Sequence, residues 1–311
     1  MPNARSRRAK QWKPRPSGKE LARQTAGPAY IKISTVTRPR GAARPDPRDV
    51  AELRALAERQ PELSGAASLQ IALVDAVRRV QNRVSTASLT LNDEQIAARI
   101  SSGRQLVDFD RLPIEWSDAR LLFRQITDVL RRHDAVDDAT AARLHDIGRS
   151  ANLPDLARCW FEKGQSESGI EMLDEVLAWA MRPFLCRAAE VLQQRVSFGG
   201  WKRGVCPMCG GEPDFACITT AGERQLICSR CQTRWPTEPF ACPFCGEGVK
   251  ERITSFATPD GTYRVTACQS CKRYLKTLDG RRAGRGAMPN VDAIATLPLD
   301  AVVMQRGFTN G

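Results

Sequence analysis

Between residues 48 and 197 apolar side chains recur at intervals of three and four, as in Leu69, Leu73, Val77, Val80 and Val84, which lines one face of an α-helix. Asp75, Arg78, Arg79 and Arg83 fall on the other faces. A second stripe runs Leu122, Ile126, Val129 and Leu130, with Ser117 placed to cap it. A third runs Ile170, Leu173, Val176 and Leu177, where the spacing of Ser168 and Glu171 reads as a capping box. Pro183 is expected to break or kink that helix before Phe184, Leu185, Ala188, Val191 and Leu192 resume the pattern. The stretch predicts six or seven helices and almost no strand. Further on, Ala221-Gly222 leads into Arg224, Gln225, Leu226 and Ile227, and Pro259-Asp260-Gly261 into Tyr263, Arg264, Val265 and Thr266, both of which read as hairpins.

Composition adds limits. The 311 residues are 42% hydrophobic and 26% charged, and no run of about 18 apolar residues offers a membrane span, so a soluble chain without membrane insertion is expected. The formal charge of +12 suggests an anionic partner until its distribution is read. Residues 1–48 hold 13 Lys and Arg against Glu20 and Asp46, a net +11, leaving +1 for the rest. Residues 1–28 are therefore expected to be a disordered basic arm, too poor in apolar side chains to offset the entropy of ordering. Ser6-Arg7-Arg8 imitates a twin-arginine export signal, but Lys10, Lys13, Pro14, Arg15 and Pro16 occupy the place of its apolar region, so no signal peptide is read.

The chemistry concentrates near the C-terminal end. Eight of 11 cysteines fall in four C-x-x-C pairs, Cys206/Cys209, Cys228/Cys231, Cys242/Cys245 and Cys268/Cys271. A C-x-x-C turn brings two thiolates to one ion, and a second pair returning from a hairpin completes a tetrahedral four-sulfur site. Two pairings compete. An internal repeat, Cys-Pro-Met-Cys-Gly at 206–210 against Cys-Pro-Phe-Cys-Gly at 242–246 with Trp235 or Tyr274 beyond each second pair, favours sequential sites. Site 1 is then Cys206, Cys209, Cys228 and Cys231, and site 2 is Cys242, Cys245, Cys268 and Cys271. Gly210 and Gly246 ease the turns as in rubredoxin, whereas Gln232 and Lys272 stand where rubredoxin would again have glycine; iron and zinc both suit such a site. Cys217 reads as a strand residue, Cys159 and Cys186 as small buried hydrophobes, and His133 and His145 as ordinary surface or helix-end residues.

The expected fold class is α+β. An all-α region at 29–198, with an irregular lead-in at 29–48, precedes two tandem rubredoxin-like or zinc-ribbon-like modules at 199–284, and a C-terminal segment at 285–311 packs back on the body. No Ser-His-Asp set, phosphate loop or carboxylate pair suggests catalysis.

The order of these parts resembles the formate dehydrogenase accessory protein FdhE family over about residues 50–308. The four cysteine pairs carry the resemblance, with Pro213, Trp235, Tyr274, Lys276 and the closing segment from Val291-Asp292 through Leu297-Pro298-Leu299-Asp300 to Gly307-Phe308. It implies a cytoplasmic, non-catalytic factor acting on the catalytic subunit of respiratory formate dehydrogenase before export, and two mononuclear iron sites, with zinc the alternative. The rival reading is a nucleic-acid-binding zinc ribbon, suggested by the basic arm and by Arg230, Arg234, Lys272, Arg273 and Lys276, which otherwise form a solvated rim. A thiol-disulfide oxidoreductase using one C-x-x-C is a third reading.

Overall fold

Residues 48–86 and 89–310 are described by the structure, a computed structural model. The expected arm at 1–28 and the lead-in to residue 47 lie outside the described residues.

Among the described residues seven α-helices precede the four cysteine pairs: α1 (Arg48–Arg59), α2 (Ser64–Gln81), α3 (Asp93–Ser101), α4 (Trp116–Arg132), α5 (Asp138–Arg149), α6 (Leu153–Lys163) and α7 (Leu173–Leu192). The predicted stripes are the buried ones. Leu73, Val77 and Val80 of α2, Leu122, Ile126, Val129 and Leu130 of α4, and Leu173, Val176 and Leu177 of α7 face inward where these helices pack. Local signals were less faithful. Ser117 does not cap α4; Glu115 holds that position, and the Ser117 hydroxyl donates to Glu115 Oε1 at 3.2 Å. Ser168 and Glu171 form no capping box, because α7 begins at Leu173 after a left-handed Met172 (φ 63°), and Ser168 Oγ accepts from the Ile170 amide instead. A capping box does form at Asn92 and Gln95, starting α3. Pro183 does not break α7, which continues as one helix because Ala180, Phe184 and Ala188 on both sides of the proline are buried.

Six strands follow: β1 (Pro213–Ile218), β2 (Arg224–Cys228), β3 (Arg234–Pro236), β4 (Ile253–Ala257), β5 (Tyr263–Cys268) and β6 (Tyr274–Asp279). The two ribbons are joined in a single sheet of order β3-β2-β1-β6-β5-β4. Within each ribbon the pairs are antiparallel; the seam is the parallel pair β1 and β6, with Phe215 opposite Lys276 and Cys217 opposite Leu278.

The first ribbon belongs to the helical core. Cys206, Met208, Cys209, Cys228, Cys231 and Trp235 are buried in the same cluster as Phe123, Ile126 and Phe184. The amides of Leu106 and Val107, after α3, donate to the carbonyls of Pro207 and Met208 at 2.9 Å, fastening the knuckle to the helices. The second ribbon is covered by chain that follows it: α8 (Gly280–Ala283), α9 (Pro289–Ala295) and α10 (Leu297–Met304). Val291 and Ile294 of α9 pack with Leu53, Leu56 and Ala67 of α1 and α2, and Val303 and Phe308 pack on Val265, Ala267 and Tyr274.

Candidate metal centres

Each C-x-x-C pair sits in a turn of the same construction. The amide of the first cysteine donates five residues ahead, Cys206 to Gly211, Cys228 to Thr233, Cys242 to Glu247 and Cys268 to Arg273, at 2.8–3.0 Å. The residue four ahead donates back to the cysteine carbonyl, at 2.9 Å for Gly210, Gly246 and Lys272 and 3.2 Å for Gln232. That residue must be left-handed, and all four are: Gly210 at φ 75°, Gln232 at 58°, Gly246 at 77° and Lys272 at 60°. Gln232 and Lys272 therefore adopt the glycine conformation despite their side chains, against about 1–2 kcal/mol of steric cost each. Gly211 has no such freedom for a side chain, since a Cβ there would meet Arg230 Cδ at 2.8 Å and Cys228 Sγ at 3.2 Å.

The turns bring the sulfurs together in the sequential pairing. Cys206 Sγ lies 3.6 Å from Cys231 Sγ, and Cys209 Sγ lies 3.5 Å from both Cys228 and Cys231; in the second cluster Cys242–Cys271 and Cys245–Cys268 are each 3.7 Å apart. All ligand atoms of a cluster lie within 4.8 Å of one another. Four sulfurs about 2.3 Å from a central ion stand about 3.8 Å apart, so the spacing suits a tetrahedral ion; a disulfide would require about 2.05 Å. Both clusters can hold a metal ion, and all 11 cysteines are free of disulfides. Burial pushes the Cys206 and Cys231 thiols up and lifts Cys242 to about 12. Hydrogen bonds from Cys206, Cys228 and Cys231 hold the Cys209 thiol well down, and a bound cation would displace the remaining thiol protons. Amides also point at sulfur, Met208 N to Cys206 Sγ at 3.3 Å and Arg230 N to Cys228 Sγ at 3.4 Å.

The two clusters differ in access. All four cysteines of the first are buried, whereas in the second Cys242 and Cys268 are buried, Cys271 is half-buried and Cys245 is exposed. The cause is the packing: helices enclose the first ribbon, and the second knuckle has Phe240, 75% exposed, in the linker beside it.

Of the five cations near the second pairs, Arg234 and Lys272 are exposed, while Arg230, Arg273 and Lys276 are drawn into the fold. Arg230 donates to the carbonyls of Phe161 (2.8 Å) and Trp160 (3.1 Å), Arg234 to Ala287 (2.7 Å), and Arg273 makes two bonds to Glu212 (3.0 and 2.6 Å) while lying over Phe244. Lys276 is buried against Asp300 at 2.6 Å, and the exposed Lys272 reaches Gln269 at 2.8 Å. Arg230, Arg273 and Lys276 are thus engaged within the fold, which weakens the support they lent to nucleic-acid binding.

The remaining candidates are dispersed. Cys217 is a buried residue of β1, and Cys186 is buried with its thiol raised to about 12 by burial. Cys159 is only half-buried, correcting its expected burial, and its thiol lies 3.5 Å from the Gln165 carbonyl. His133 ends α4, and His145 pairs with Asp128 at 3.0 Å. Sequence reasoning missed the acceptors Asp292 and Asp300. Asp292 accepts from Tyr263 (2.8 Å), Arg285 (2.5 Å) and the Met288 amide (2.6 Å), and Asp300 from Tyr274 (2.7 Å) and Lys276 (2.6 Å). Their only signal was their place in the closing segment.

No family model matches the chain. In sequence it is 23% identical over 261 residues to a protein FdhE homolog of Aquifex aeolicus, covering 81% of this chain and 88% of that one. It is 31% identical over 116 residues to protein FdhE of Escherichia coli, covering 35% and 36%. In fold it is similar to the crystal structure of FdhE from Pseudomonas aeruginosa, with a TM-score of 0.61 and 21% identity over 84% of this chain and 91% of that one. The chain is thus similar to FdhE proteins in sequence and in fold, and it carries two four-cysteine clusters able to hold metal.

Proposed function

We propose that the chain is an accessory factor in formate dehydrogenase maturation, working in the cytoplasm by binding the immature catalytic subunit. Its eight paired cysteines hold one metal ion in each cluster, iron in our reading and zinc in the alternative. The observation that carries this is the pair of four-sulfur clusters on one sheet, the first built into the helical body. Similarity to FdhE proteins supports the accessory role. An ion ringed by four thiolates offers no open position to a substrate, so we assign the chain no catalysis and give the metals the work of holding both ribbons in shape. No helix among the described residues is long and apolar enough to cross a membrane. Rubredoxin-like knuckles with amides aimed at sulfur favour iron, whose visible spectrum separates it from zinc.

The test is co-purification of the tagged chain with a formate dehydrogenase catalytic subunit, paired with formate oxidation in a deletion strain. The proposal expects association and loss of formate oxidation; no association together with normal oxidation would overturn it.

A further inference from the structure

Away from the sulfurs, a cleft of about 320 Å³ opens among α1, α2, α7, α9 and the second knuckle of site 1, with Val74, Val77 and Trp179 on its apolar wall. Its volume is at the lower end of the range of about 300–1,000 Å³ for small-ligand sites. On its polar side three N–H donors from three elements converge on one oxygen. Gln70 Nε2 of α2 (3.4 Å), Arg182 Nη1 of α7 (3.3 Å) and Gln232 Nε2 of the knuckle (3.4 Å) all point at Asn290 Oδ1. Asn290 Nδ2 donates to Asp49 Oδ2 at 2.7 Å, which fixes the amide with its oxygen toward the donors. An amide oxygen has two lone pairs, so three donors oversubscribe it, and all three distances exceed the common span of about 2.7–3.2 Å.

Arg182 is the least satisfied of the three. Nη2 reaches the Ser229 carbonyl at 2.9 Å and the guanidinium lies over Trp179 at 4.2 Å, but Nε is buried without an acceptor. Among the described residues no carboxylate lies within salt-bridge distance of it. A donor surplus around an unpaired arginine calls for acceptor oxygens, and Gln232 reaches this place from a left-handed position that glycine would fill more easily.

We propose that this cleft binds a carboxylate, with Arg182 as its principal donor and Gln232 as a supporting one. A carboxylate brings two oxygens with about four acceptor sites in one plane, the shape a guanidinium edge pairs with. Asp49 and Glu190 line the same cleft together with Arg78, a balance that favours a singly charged carboxylate over a dianion such as phosphate. The carboxylate belongs to a small free acid or to a peptide, for which the volume beyond Arg182 leaves room.

Calorimetric titration of the full, metal-loaded chain at fixed ionic strength distinguishes these, with sodium acetate, N-acetyl-dialanine and N-acetyl-dialanine amide as probes. The proposal expects the peptide acid to bind at least about tenfold more tightly than its amide, and Arg182→Gln to remove that difference. Gln232→Gly, which deletes one donor at a glycine-compatible position, should weaken the acid about threefold with metal content unchanged, so the test survives a misfolded Arg182 variant. Acetate binding as tightly as the peptide acid supports a free acid, and tighter peptide binding supports a peptide. Equal binding of acid and amide, or acid affinity unchanged in both variants, would overturn the proposal.

Discussion

Arg230 stacks on Trp160, its guanidinium carbon 4.4 Å from the ring centroid, while donating to the carbonyls of Trp160 and Phe161. One residue before Cys231, it locks the knuckle of site 1 to the C-terminal end of α6. Two charge-assisted bonds and a stacking contact are removed in Arg230→Ala, which should cost about 2–4 kcal/mol. Arg230→Lys, lacking the planar fork, should recover less than half of it. Urea unfolding followed by circular dichroism measures both; a loss under about 0.5 kcal/mol would show that the helices hold site 1 without this contact.

Lys276 and Asp300 form a buried pair that ties α10 to β6, with Tyr274 as a second donor to the same carboxylate. Removing only the acid, in Asp300→Ala, leaves a buried lysine without its partner and should destabilise by about 3–5 kcal/mol. Limited proteolysis should then cut first within Leu297–Met304, because α10 loses the bonds that anchor it. The double change Lys276→Met with Asp300→Leu should restore much of the stability, whereas an equal loss in single and double variants would contradict an unpaired-charge penalty.

The clusters should differ in how they release metal. Cys245 is exposed and Cys271 half-buried, while every cysteine of site 1 is buried, so a chelator reaches site 2 first. Metal release into excess chelator is expected in two phases of equal amplitude. Cys245→Ser should remove the fast phase, and a single phase from the intact chain would count against the difference in access. By the same packing, Cys206→Ser should lower stability of the whole helical core, and Cys242→Ser mainly that of the second ribbon.

The turn between β4 and β5 carries a titration signature. Asp260 accepts from the Thr258 hydroxyl (2.6 Å), the Thr262 hydroxyl (2.6 Å) and the Thr262 amide (3.1 Å), and these bonds, that from Thr258 foremost, hold its carboxyl down to about 2. The folded value is depressed below the unfolded value of about 3.9, so the contribution is complete above about pH 4 and is lost as pH falls towards 2. Carbon NMR of the Asp260 carboxyl should give a midpoint near 2 in the intact chain and a higher one in Thr258→Ala. A midpoint unchanged by that substitution would contradict the hydrogen-bond origin.

Much of the site was legible because its logic is local. C-x-x-C spacing, the Cys-Pro-x-Cys-Gly repeat and the Gly222 and Gly261 turns specify short-range geometry, and the structure brings together the sulfurs they grouped. The helical stripes were legible for the same reason: periodicity reports burial directly. The seam of β1 with β6 was not, because Phe215 and Lys276 meet across an intervening ribbon and neither strand's pattern names its neighbour. Helix ends failed where tertiary bonds outweighed side-chain capping, as when Asp174 accepted the Ser166 amide while Ser168 turned to Ile170. The cations beside the second pairs misled because composition records charge but not the partner that neutralises it, here Glu212 for Arg273 and Asp300 for Lys276.

The central claim is that eight paired cysteines form two separate metal centres, and metal content per chain after anaerobic purification, read with the visible absorption spectrum, tests it most directly. The account predicts two ions in the intact chain, one in Cys206→Ser and one in Cys242→Ser. No bound metal with eight reactive thiols, or two ions retained in either variant, would contradict it.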